Sequence, residues 1–257
     1  MLRIVDTRTG RLVEIVPARR HLLSICVHLP AGEAGTGTTD LRTLLVGDVL
    51  ARTAELHGLQ SRTFLAAPDL PREQTRALDR AMSDLGIHPP AAIGARHPEA
   101  ASGAAADVHV HVYGTSPQDA VGGVLVEAGP GDVDAVVPEG TDPLAVRMLM
   151  LRHAYRAPVT VTGTALEEAW RMLESWRQLV ADWAQEPSRP VPADVLRDVR
   201  AALADDLGVP AVLDALATMA TRGDVPAGAK FETFAFLDRV LGLDLAREVG
   251  HQHRAAT

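Results

Sequence analysis

Cysteine is nearly missing from this chain: Cys26 stands alone among 257 residues. One thiol excludes an intramolecular disulfide and a zinc site built from several cysteines, and it fits a reducing compartment, the cytoplasm being the simplest. Lysine is as scarce, with Lys230 the single example and arginine supplying every other strong cation. Aromatic residues make up only 4% while alanine, glycine and valine abound, a composition that a GC-rich genome produces. No apolar run reaches the ~20 residues of a membrane-spanning helix, so no membrane partner is expected. The opening residues 1–6 read as the start of a strand rather than a secretion signal. A formal net charge of −8 runs against broad, salt-driven nucleic-acid binding, which needs clustered cations.

What remains is ample for a large core, since a chain of this length buries roughly three-quarters of its unfolded surface without staples. Residues 1–17 read as a small hairpin turning at Thr9 and Gly10. Residues 21–29 form an apolar strand, followed by a glycine-rich loop and a helix over 39–57, with Thr39 or Asp40 as N-cap and Gly58 as terminator. A strand over 62–67, a helix over 72–85, and strands over 108–112 and 124–127 follow, with a β-rich piece near 133–137. Residues 89–106 are a proline- and alanine-rich connector. This alternation predicts a parallel α/β sheet.

From Asp142 the pattern turns almost wholly helical. Thr164 and Glu167 have capping-box spacing and open a long helix carrying Trp170, Trp176 and Trp183, whose three- and four-residue spacing predicts helix–helix core. Helices over 195–207, 209–221 and 231–241 complete a bundle. The predicted organisation is an α/β domain over 1–140 and a helical bundle over 141–257.

The stretch "LPAGEAGTGTTDLRTLLVGDVLARTAELHG" at 29–58 has the outline of a phosphate cradle: strand, glycine loop, helix N-terminus. Its chemistry differs from that outline. Residues 32–39 lack the Gly-Lys-Ser/Thr ending of a P-loop, and the loop has no lysine and no arginine before Arg42. "VEAGPGD" is likewise a glycine turn rather than a dinucleotide fingerprint.

Ordered similarity carries further than any one motif. "MLRIVDTRTGRLVEIVP", "LRTLLVGDVLARTAELHGLQSRTFLAAPDL", "DLGIHPP", "GTDPLAVRMLMLRHAYRAPVTVT", "DVRAALADDLGVPAVLDAL" and "FLDRVLGLDL" resemble successive stretches of cysteinyl-tRNA synthetases. They equally resemble the related ligase that joins cysteine to glucosaminyl-inositol in mycothiol synthesis. The resemblance covers 1–90 and 140–250 well and the intervening stretch poorly. It implies a reduced class I synthetase-like Rossmann (HUP-type) sheet followed by an α-helical bundle. No counterpart of the synthetase's anticodon-binding domain is recognised, so tRNA anticodon binding is not expected.

The same resemblance implies a chemistry that the residues do not supply. The family activates cysteine on ATP with the histidines of a HIGH motif and the lysines of a KMSKS loop. Here HIGH falls on Gly37, Thr38, Thr39 and Asp40, and Asp40 would repel phosphate if it faced the site. No KMSKS lysine exists, and the corresponding segment carries Glu127, Asp132, Asp134 and Glu139. The family's zinc is held by two cysteines, a histidine and a glutamate. His28 stands at the first of these positions, Cys26 lies two residues earlier on the same strand face, and His109 falls near the family's histidine. His28, His109 and His111 could build a different zinc site, although histidines on a strand are more commonly structural. Neither the family zinc nor ATP is expected to be retained. Ser24 and Cys26 have no evident base partner in the sequence.

Arg147, Arg152, His153, Tyr155 and Arg156 could bind an anion, but a solvated helix face with Tyr155 in the core is the plainer expectation. The expected binding set is therefore His28, Gly37, Thr38, Thr39, Asp40, Arg42, Asp69 and His109, with Asp69 matching a family aspartate by position. The function implied is a catalytically degenerate synthetase-like protein that keeps a small-molecule or nucleotide pocket or acts as a protein-binding subunit. The alternative is an active ligase or aminoacyl transferase that takes a preformed aminoacyl adenylate or aminoacyl-tRNA.

Overall fold

The computed structural model describes residues 1–30, 37–68, 70–95, 105–117, 122–134 and 140–250. Strands β1 (Arg3–Asp6) and β2 (Arg11–Glu14) form the expected antiparallel hairpin. The sheet is built from β3 (Leu22–His28), β4 (Gln60–Ala66), β5 (Ala92–Gly94), β6 (Val108–Val112) and β7 (Val124–Ala128). Its order is β5-β4-β3-β6-β7 and every pair is parallel, so the strand–helix alternation was a sound guide. Helices α1 (Thr38–Leu56) and α2 (Arg72–Asp84) belong to this half. β8 (Gly131–Val133) pairs with β9 (Val159–Val161) across α3 (Pro143–Leu151). The long helix α4 (Gly163–Trp183) then leads to α5 (Ala193–Ala204), α6 (Val209–Thr221) and α7 (Ala227–Leu241). The fold is thus a Rossmann-like α/β sheet followed by helices. No helix among the described residues is long and apolar enough to cross a membrane.

Strand alternation sorts β3 into two faces. Leu23, Ile25 and Val27 enter the main core with Leu44, Leu50 and Ala54 of α1. Gly47 permits this close approach, since a Cβ there would lie 2.5 Å from Val27 Cγ2. The opposite face carries Ser24, Cys26 and His28, with Cys26 joining Phe64, Ala66 and Ala106 in a second, smaller cluster. Trp176 and Trp183 both pack against the Phe234 ring in T-shaped contacts, at centroid separations of 5.4 and 5.2 Å, as a helix–helix core requires. Trp170 is only partly buried.

Several expectations are corrected. The residue before α1 is Gly37, without a side-chain cap, so neither Thr39 nor Asp40 is the N-cap. Asp40 falls in the first turn instead, where a carboxylate suits the positive end of the helix dipole. The cap of α4 is Thr162, whose hydroxyl accepts from Ala165 N at 3.2 Å, and not the Thr164 box. β5 lies inside the expected connector and β9 inside the expected all-helical half. Three-residue strands are too short to register as a period. α5 stops at Ala204 because Asp206 and Leu207 turn left-handed, at φ 57° and 51°.

Arg147 departs from the expected solvated face. Its side chain is fully buried and donates to Asp48 Oδ2 at 2.7 Å, Leu85 O at 2.8 Å and Leu241 O at 2.5 Å. Burial lowers its pKa, against the raising effect of Asp48. Asp48 also accepts from Arg52 at 2.8 Å, so one carboxylate joins α1 to α3 while Arg147 secures the ends of α2 and α7. Arg152, His153 and Arg156 are exposed, and Tyr155 is buried as expected, donating to Asp206 Oδ1 at 2.6 Å.

A second ionic joint lies at the start of α3. Asp142 caps the helix through Leu144 N and accepts from Arg177 at 2.6 Å and from Arg247. Burial alone would raise its pKa, but the Arg177 and Leu144 hydrogen bonds and the charges of Arg177 and Arg247 bring it below the usual carboxylate value. A carboxyl with a depressed folded pKa contributes stability that is complete above its unfolded pKa of ~3.9 and is lost as pH falls through the folded value. Asp142→Asn is therefore expected to destabilise the protein at neutral pH and to flatten the stability-versus-pH curve below about pH 4. Denaturant titrations of both proteins across that range test this, and curves of equal slope would refute it.

Candidate functional site

The C-terminal edge of the sheet brings together the residues singled out by chemistry. Parallel pairing sets Cys26 opposite His109 and His28 opposite His111, so all four side chains belong to one sheet face. His28 Nε2 and His109 Nδ1 are 2.9 Å apart, with ring centroids at 5.1 Å. Cys26, His28 and His109 each offer a ligand atom within 4.8 Å of the other two. Cys26 and His109 are buried and His28 is half-buried, the more open of the three.

This corrects two expectations. The group that converges is Cys26, His28 and His109 rather than the three histidines. His111 instead donates from Nδ1 to Val112 O at 3.2 Å, and its buried Nε2 has no hydrogen-bond partner among the described residues. Cys26 also does have imidazole neighbours: His28 on its own strand, and His109, which β3–β6 pairing sets opposite it. Asp107, two residues before His109, accepts from Ala18 N and Ser24 N and so ties the start of β3 to this strand. Sequence reasoning gave Asp107 no role of its own.

The donor set fits a zinc ion, although the family's own ligand set is not reproduced. Zinc takes thiolate at ~2.3 Å and imidazole at ~2.0–2.1 Å, which puts ligand atoms of a tetrahedral site roughly 3.3–3.7 Å apart. Two imidazole nitrogens at 2.9 Å and a sulfur within 4.8 Å need only a small adjustment. Cys26, His28 and His109 would hold the ion.

The first turn of α1 has taken up internal contacts. Thr39 Oγ1 donates to Gly131 O at 2.8 Å and accepts from Gly131 N at 3.0 Å. Gly131 lies flush on the helix start, where a Cβ would meet Thr38 Cγ2 at 2.8 Å and Thr38 backbone at 3.1 Å. Gly129 packs equally closely on the carbonyls of Arg156 and Ala157. Asp40 is buried within this turn.

Arg42 points elsewhere. It is fully buried, and its Nη2 donates to Ala154 O at 2.9 Å and Ala157 O at 2.8 Å on the connection into β9. Burial pulls its pKa down to about 10. The structure thus joins His28 to His109, and Thr38 and Thr39 to Gly131, while Arg42 serves a different contact. Asp69, Glu139 and the loop 31–36 lie outside the described residues. Among the acidic positions, Glu127 accepts from Gly114 N at 3.0 Å, whereas Asp132 and Asp134 are exposed. Lys230 is far from this chemistry: it donates to Ala220 O at 3.0 Å and stands 5.3 Å from the Trp183 ring centroid inside the bundle.

No protein-family model matches the chain. Curated proteins do. The chain is 37% identical over 116 residues to an L-cysteine:1D-myo-inositol 2-amino-2-deoxy-alpha-D-glucopyranoside ligase of Cellulomonas flavigena, covering 43% of this chain and 27% of the relative. Ligases of the same name match in Xylanimonas cellulosilytica, at 34% over 154 residues (58% of this chain, 35% of the relative), and in Streptomyces avermitilis, at 31% over 170 residues (63% and 40%). The matched stretches span between about a quarter and two-fifths of these relatives' length.

Proposed function

From its kinship with these cysteine ligases, we propose that the chain is a non-adenylating relative that binds a small thiol-bearing ligand at the Cys26–His28–His109 end of the sheet. The observation that carries this reading is the closure of the α1 N-terminus by Gly131 through Thr39. Adenylation needs preorganised donors on the developing phosphate charge, and that electrostatic term is usually the largest in such catalysis. Here the amide end of the helix faces Gly131 and a buried carboxylate, and Arg42 in the second turn is directed at backbone carbonyls. No lysine stands in the sheet half to replace it.

The Cys26–His28–His109 end of the sheet carries a thiol and two imidazoles that can act on a thiol-bearing ligand. A zinc ion held there would leave an open coordination position for a ligand thiolate. Cys26 and His109, both buried, would keep water from that position, and the half-exposed His28 side would admit the ligand. A transferase reading draws on the same convergence, because a thiol beside imidazole is the pairing of an acyl-accepting nucleophile and its base. The protein-binding reading has less behind it: among the described residues, Val249 is the only exposed large apolar side chain in the helical half.

Thermal unfolding tests the proposal. Zinc-loaded protein with cysteine is expected to melt about 5–10 °C higher at a hundredfold excess over the dissociation constant, and ATP should cause no shift. A shift with ATP would overturn the loss of adenylation. A shift with a non-hydrolysable cysteinyl-adenylate analogue but none with cysteine would move the assignment to the transferase.

A further inference from the structure

Arg42 is buried to 1% exposure, and among the described residues only its Nη2 is hydrogen-bonded. Nε and Nη1 are buried without a hydrogen-bond partner among the described residues, and no carboxylate pairs with the side chain there. Arg42 also lines a cavity of about 30 Å³ between α1, the end of α3 and the segment leading into α6. Apart from Arg42, His153 and Tyr155, the walls are apolar, among them Val46, Val49, Met150 and Leu207. The Tyr155 hydroxyl is committed to Asp206 and brings no carboxylate to the cavity wall.

A charge in such surroundings is costly unless something of opposite sign reaches it. Carbonyl oxygens at Nη2 satisfy one corner of the group. The other nitrogens call for an acceptor, and a cavity of this size admits one or two water-sized species, since one water needs ~10–15 Å³. A nucleotide or a phosphorylated metabolite is far too large. We propose that this cavity is a binding site for a monovalent anion of halide size, chloride being the simplest, held by Arg42. His153, exposed at the cavity, marks the way in. The site is separate from the imidazole–thiol cluster, so it stands or falls independently of the ligand proposed there.

Thermal unfolding in sodium chloride, compared with sodium gluconate at equal ionic strength, tests this. Chloride is expected to raise the melting temperature by roughly 2–4 °C in the concentration range that saturates the site. Bromide should act likewise, and crystals grown in bromide should carry an anomalous peak beside Arg42. Arg42→Met should abolish the difference between the two salts. Should that variant fail to fold, Val49→Ile, which adds a methylene to the cavity and keeps the charge, should weaken it. Identical melting in chloride and gluconate, together with no bromide peak, would mean that water alone fills the space and would overturn the proposal. An undiminished chloride effect in Arg42→Met would overturn it equally.

Discussion

Arg147→Met is expected to lower stability by about 3–5 kcal/mol, because it leaves the buried Asp48 short of a partner and uncaps the carbonyls of Leu85 and Leu241 at once, while Gly86 O keeps Arg52. Asp48 keeps Arg52, whose side chain is 10% exposed, but loses the fully buried donor at 2.7 Å. The carbonyls of Leu85, Gly86 and Leu241 lose the guanidinium as well, so the ends of α2 and α7 come loose from α3. For a chain of this size such a loss lowers the melting temperature by roughly 10 °C or more. Denaturant titration should show an earlier midpoint at unchanged slope. The double variant Asp48→Leu with Arg147→Met should recover part of the loss, since removing both charges is milder than orphaning one. A single-variant cost below about 1 kcal/mol would show that the joint is not what secures these helices.

Zinc should bind at one ion per chain, and cobalt in its place should develop a thiolate-to-metal absorption band. Cys26→Ser should abolish that band and weaken zinc binding roughly 100-fold or more, as expected when one of three protein ligands is lost. His28→Ala should weaken it while leaving a thiolate band at high cobalt. Because imidazole and thiol must be deprotonated to ligate, affinity should fall on acidification, and chelation should lower the melting temperature. Binding of equal strength in wild type and Cys26→Ser would place the ion elsewhere. Failure of the wild type to bind zinc at all would remove the metal from the proposed function.

Much of the architecture could be read from the sequence because its long elements are strongly patterned. The alternation of apolar runs with amphipathic helices gave a parallel sheet, and Trp176 and Trp183 fell where a helix–helix core needs them. Short strands and caps did not come through: β5 and β9 have three residues each, and the caps of α1 and α4 lie two or three positions before the expected ones. The site was half legible. Cys26 and His28 share a face by simple alternation, but only strand pairing brings His109 rather than His111 into the group. The destinations of Arg42 and Arg147 were hidden for a related reason. An arginine's pattern position says that it is polar, while the carbonyls it reaches come from helix ends and turns distant in sequence.

The placement of β3 in the middle of the sheet also governs the order in which the molecule can assemble. Its neighbours are β4, which follows directly, and β6, which begins only at Val108. During synthesis β3 can therefore be flanked on one side early, while its second edge waits for some eighty further residues. Long-range parallel pairings of this kind close late and leave an open strand edge in the meantime. The imidazole–thiol group spans that seam, so it comes into being at the step that closes the second edge of β3, before β7 adds to β6. An ion or ligand captured there would act as a clasp on a late-forming seam in the middle of the sheet.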